Sequence, residues 1–153
     1  MSVRATRRGF LGGALLAPLL LAGCGGEQAD AMAPPEINYG RDTCQSCGMI
    51  ISDERYTAAL VSMDGTTEIF DDIGEMIQTV RGDGLNARRA WVHDGNNREW
   101  TDATTATYVR GDEAATPMGT GIIAFAANEG AEAFVAEHES PLLTWDDLPM
   151  AES

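Results

Sequence analysis

The sequence predicts an α+β fold built from two small sheet-and-helix units. Three observations carry this reading. Short β-branched or apolar runs are separated by Asp-Gly and Gly-rich turn signals. Helical periodicity occurs in two places, near residues 73–80 and 129–138. The order strand, strand, helix, strand is met in the first half of the folded region and again in the second.

Each element has a local cause. Tyr56–Met63 is rich in β-branched and apolar residues, and Asp64-Gly65 is a turn signal. Thr66–Phe70 then alternates as the returning strand of a hairpin. Asp71-Asp72 can cap a helix over Ile73–Val80, with Ile73, Met76, Ile77 and Val80 on one face. Gly82-Asp83-Gly84 breaks it. Arg89–His93 is a third strand, ended by Asp94-Gly95. In the second half, Thr107–Arg110 and the apolar run Ile122–Ala126 are strands on either side of a Gly-rich turn at Gly119–Gly121. Glu129–His138 reads as a helix with Ala131, Phe134 and Val135 inward, and Leu142–Trp145 as a last short strand.

Ahead of this unit the chain carries an address. Arg4, Arg7 and Arg8 form a positive segment before an uncharged apolar run from Phe10 to Gly23. That is the length of an export signal and too short for a spanning helix of about 20 residues. Thr6–Leu11 resembles a twin-arginine signal, and Leu21-Ala22-Gly23-Cys24 resembles a lipobox. The expected organisation is a signal peptide over 1–23, a lipidated flexible tether over 24–38, a folded domain over 39–147 and a tail over 148–153. Cys24 is the expected lipidation site, which places the protein outside the cytoplasm on the outer face of the cytoplasmic membrane.

Charge narrows the function classes. The 153 residues include 24 acidic and 10 basic ones, a formal net charge of −14. Every basic residue is Arg. Cleavage before Cys24 keeps seven of the ten arginines and all 24 acids, for a charge of −17. Such a surface does not suit binding to nucleic-acid phosphates. An acid-rich, Lys-free composition fits a high-salt (halophilic) setting, where molar salt screens self-repulsion over a few ångströms.

Chemistry concentrates in two segments. Cys44-Gln-Ser-Cys47-Gly48-Met49 places two thiols three residues apart, with Gly48 free to turn the chain so that Met49 folds back. Thr116-Pro117-Met118-Gly119-Thr120-Gly121 presents a methionine on a shaped polar loop with no obvious core to fill. Thiolates and thioethers are soft donors and favour Cu(I) over harder divalent ions. The two thiols equally suit an exported redox dithiol or a structural disulfide. Gly after the second Cys excludes a c-type haem attachment motif. Met63 and Met76 read as core, His93 as a satisfied surface histidine or a ligand, and His138 as an ordinary helix-end residue. No Ser–His–Asp spacing, phosphate loop or zincin motif occurs, so nothing points to an enzyme.

These segments, with Ile69–Met76, Trp91–Asp94, Ala103–Val109 and Thr116–Phe125, resemble the NosL family over roughly residues 42–145. The family comprises copper-binding lipoproteins accessory to nitrous oxide reductase. The resemblance implies two ββαβ-type units forming one compact domain. It implies Cu(I) ligation by Cys47, Met49 and Met118, with Cys44 and His93 as candidates for a fourth contact. The implied role is copper carriage rather than catalysis. The implied partners are nitrous oxide reductase or its copper-loading membrane machinery, in denitrification, although another extracytoplasmic cuproenzyme fits the same chemistry. An exported dithiol/disulfide oxidoreductase using Cys44 and Cys47 is the alternative.

Overall fold

The structure, a computed structural model, describes residues 33–82, 87–112 and 114–148. The expected signal peptide, Cys24 and most of the expected tether lie outside this range. Among the described residues no helix is long and apolar enough to cross a membrane.

Two antiparallel sheets and two helices form the two units. In the first, β1 (Ala58–Ser62) pairs with β2 (Thr67–Phe70), α1 (Ile73–Gly82) follows, and β3 (Ala87–His93) returns to the other side of β1. In the second, β5 (Thr107–Arg110) pairs with β6 (Ile122–Phe125), α2 (Asn128–His138) follows, and β7 (Leu142–Leu143) returns beside β5. The first strand of each unit is therefore central, which is the expected strand–strand–helix–strand order realised twice. A further strand, β4 (Trp100–Asp102), extends the first sheet to the order β2-β1-β3-β4 and was not expected from the sequence. It is three residues long, too short for an alternating pattern to register. Tertiary contact defines it instead: Trp100 stacks on His93 with ring centroids 3.8 Å apart.

Hydrophobic patterning explains the layers. β1 is interior in its sheet and buried at every residue. α1 turns Ile73, Met76 and Ile77 into the core formed with Leu60, Phe70 and Val92, and Val80 packs at its edge. The second sheet is apolar on both faces. Tyr108, Ile122 and Ala124 join that first core, while Val109, Ile123 and Phe125 meet Ala131, Phe134 and Val135 of α2. Strict alternation along β5 and β6 gives each face its own set. A continuous apolar run such as Ile122–Phe125 is what a strand covered on both sides requires. Ile37 and Leu148 also pack against or within the first core, so the packed unit reaches past 39–147 at both ends.

Asp94 joins the two sheets at the end of β3. Its carboxylate accepts from the backbone N–H groups of Asn96 (2.7 Å), Asn97 (3.2 Å) and Ala126 (2.6 Å), and the Gly95 N–H donates to the carbonyl of Ala124. An Asp94→Ala substitution leaves these donors without a side-chain acceptor. The expected cost is about 2–3 kcal/mol. For a domain of this size that lowers the thermal unfolding midpoint by about 10 °C. A midpoint equal to that of the unsubstituted protein would show that Asp94 does not tie the sheets together.

Candidate metal centre

Residues 38–51 form a tight loop that sets the cysteines. The Cys44 N–H donates to the Met49 carbonyl (2.8 Å) and the Gly48 N–H to the Cys44 carbonyl (3.0 Å). Gly48 sits at φ +72°, a left-handed conformation that a side chain would strain, and so lets the chain reverse between Cys47 and Met49. The Gln45 N–H donates to the Ile69 carbonyl, fixing the loop to β2. Cys44 is consequently buried in the core, at 3% exposure, while Cys47 is half-buried and Met49 stands out at 49%.

Both thiols are free and converge on one carboxylate from α1. The Cys44 Sγ donates to Glu75 Oε2 at 3.0 Å and the Cys47 Sγ to the same oxygen at 3.4 Å. One donor atom from each of Cys44, Cys47 and Glu75 lies within 4.8 Å of the others. Burial pushes the Cys44 thiol up to about 11, against the opposing pull of a backbone hydrogen bond within the loop. Burial also raises Asp71, offset in part by the N–H of Ser52 and reinforced by the charges of Glu75 and Asp72.

The second loop is held from the same helix turn. Asp72 is fully buried. Its Oδ1 accepts from the Gly74 N–H (2.7 Å), the capping role expected of it, and from the Thr120 hydroxyl. Its Oδ2 accepts from the Met118 N–H at 3.0 Å. A Cβ placed on Gly74 would come within 2.5 Å of the Thr120 side chain, so only glycine allows the loop this close. Met118 is presented at 41% exposure. Asp72 and Glu75 are three residues apart and share a helix face. Both loops therefore meet the N-terminal turn of α1.

His93 is placed elsewhere. It is buried at 2% exposure, not on the surface as the sequence suggested, because Trp100 covers its ring. Nδ1 donates to the carbonyl of Arg98 at 2.6 Å, and Nε2 accepts from the Tyr39 hydroxyl at 3.0 Å. Burial lowers its pKa, keeping the ring neutral, and both nitrogens are already used. It does not join the cluster of Cys44, Cys47 and Glu75. Met76 is core, as expected, while Met63 is exposed at the hairpin turn rather than buried. Sequence reasoning gave no role to Glu75, and it saw Asp72 as a helix cap only. The helical period marks Ile73, Met76 and Ile77 as inward but says nothing of which loop covers the flank.

The unequal burial of the thiols has a chemical signature. With its pKa near 11, Cys44 is almost wholly protonated at pH 8, and the thiolate is the nucleophile. Iodoacetamide is expected to alkylate Cys47 first. The Cys44 rate is expected to climb about tenfold per pH unit towards pH 11. Equal rates at pH 8, followed by peptide mass spectrometry, would contradict the burial of Cys44.

Comparison with known proteins follows the same lines. The chain is 29% identical to a copper-binding lipoprotein NosL from Stutzerimonas stutzeri, the match covering 91% of this chain and 80% of the relative. Its fold matches the crystal structure of the copper chaperone NosL from Shewanella denitrificans with a TM-score of 0.68. That match is at 20% identity and covers 78% of this chain and 98% of the other. Neither relative is named as an enzyme. The NosL family model matches residues 39–153, well over half of the sequence, and the chain belongs to the NosL family.

Proposed function

We propose that the protein is a membrane-anchored Cu(I) metallochaperone that delivers copper to an extracytoplasmic cuproenzyme, nitrous oxide reductase being the client that best fits the family. The observation that carries this reading is the meeting of two sulfur-bearing loops at one helix turn. Cys47 and Met49 come from the first loop and Met118 from the second. One thiolate and two neutral thioethers balance a monovalent ion without surplus charge, and their softness selects copper in its reduced state. Exposure of Met49 and Met118 leaves the ion open to an incoming partner, whose own donors can replace them one at a time. Cys44 offers a fourth contact from below. His93 is less suited to that role, since Tyr39 and Arg98 occupy its nitrogens.

The N-terminal address supports export and anchoring at Cys24. Two acyl chains hold a protein to a membrane at about 0.8 kcal/mol per buried CH₂. Confinement to that surface raises the effective concentration near a membrane-bound loader or recipient. The acidic surface suits a high-salt medium and a partner with a basic docking patch. The dithiol oxidoreductase reading is disfavoured by Cys44, since redox dithiols work through an exposed thiol with a lowered pKa and burial drives this one the other way.

Titration of the reduced soluble domain with Cu(I) against a competing chelator tests the ligand set. Cys47→Ser and Met118→Leu are each expected to weaken binding by at least about tenfold, and unchanged affinity in both would remove the site. In the same titration Asp72→Ala is expected to cost about ten- to hundredfold, the usual range for a group that orients a ligand. Because it acts through Met118, it should add little on a Met118→Leu background. Full additivity in the double variant would show that Asp72 does not position Met118.

A further inference from the structure

We propose that the cavity between the short helical turn Glu54–Tyr56 and α2 is a binding site for a small organic acid, a single carboxylate carrying a compact aromatic or branched apolar group. The cavity holds about 400 Å³, within the usual span of small-ligand sites. Ile123 and Phe125 form its floor on the α2 face of β6. Ile122 and Ala124 of the same strand turn the other way, into the core shared with α1. The cavity therefore lies on the opposite face of the second sheet from α1 and shares no residue with the sulfur loops. Phe134 of α2 closes its apolar side, with its ring centroid 6.0 Å from that of Phe125.

Arg55 is the reason to expect a ligand, and a negative one. It lines the cavity, and its Nε is shut off from solvent with no hydrogen-bond partner among the described residues. The close contacts there between basic and acidic side chains, Arg89 with Asp102 and His138 with Glu137, leave it out. Its backbone N–H donates to the Asp53 carboxylate at 3.0 Å, a contact that does not engage the guanidinium. Acids outnumber arginines 24 to 10 in this chain, so an arginine without an acid is an exception. A carboxylate in the plane of the guanidinium supplies both the missing acceptor and the missing charge, through the fork of Nε and one terminal nitrogen. The hydrocarbon part of such a ligand then covers Ile123, Phe125 and Phe134. Asn96 adds an amide at the rim, set close against α2: a Cβ on Gly130 would come within 2.3 Å of its Nδ2. Glu137 also lines the cavity without pairing to Arg55, and its charge disfavours a ligand with a second carboxylate. The site stands apart from the copper reading given above.

Phenylpropionate is the probe, titrated at fixed ionic strength into the isotope-labelled, reduced full chain. The expected result is a saturable shift of the backbone resonances of Gly95, Asn96 and Gly130, half complete below about 10 mM for a ligand this small. Phenylpropionamide keeps the ring and loses the charge; acetate keeps the charge and loses the ring. Each is expected to bind at least about tenfold more weakly. Arg55→Gln is expected to abolish the preference for acid over amide, and Arg55→Lys to restore part of it. Ala133→Leu fills the cavity from an exposed position on α2 and is expected to remove the saturable shift while the folded spectrum is retained. No saturable shift in the unsubstituted protein overturns the proposal. Acetate binding as well as phenylpropionate, or an Arg55→Gln protein that binds the acid as before, overturns it equally.

Discussion

Asp72, which caps α1, and Glu75, in its first turn, are buried carboxylates three residues apart, and each takes hold of a different loop. Asp72 binds the backbone of Met118 and the hydroxyl of Thr120, while Glu75 receives both thiols. Neither loop is a regular element, and neither defines a position for its sulfur alone. The helix turn gives them a common reference. Its own placement follows from ordinary packing, since Ile73, Met76 and Ile77 lock α1 onto the first sheet. Core hydrophobicity thus sets the helix, the helix sets two carboxylates, and the carboxylates set the donors.

This arrangement has an electrostatic cost. Asp71, Asp72 and Glu75 are all buried within five residues, and among the described residues no basic group forms an ion pair with them. Burial of uncompensated charge is unfavourable. Asp71 and Asp72 are compensated by directed N–H groups, which also order the loops. Glu75 is compensated least and faces the thiols.

Much of the fold was legible in the sequence because its elements are locally consistent. The Asp64-Gly65 turn, the cap at Asp72 and the face of Ile73, Met76 and Ile77 agree with one another, and all appear as read. β4 was not legible, since three residues carry no period and its Trp100 is placed by contact with His93. The same limit hid the depth of His93, whose neighbours Tyr39 and Trp100 are distant or unpatterned in sequence. For the site, Cys44, Cys47, Met49 and Met118 announced themselves by sulfur chemistry on Gly-bearing loops. Glu75 did not, because an acid in a helix's first turn is ordinary, and only the loop that folds over it makes it special.

The central claim is that soft donors from two separate loops serve one monovalent ion. X-ray absorption at the copper edge, on protein loaded with one equivalent of Cu(I), examines that ion's shell directly. A sulfur-dominated shell that loses one scatterer in Met118→Leu is the result this account requires. A shell of nitrogen and oxygen donors, or a sulfur shell indifferent to the loss of Met118, would contradict it.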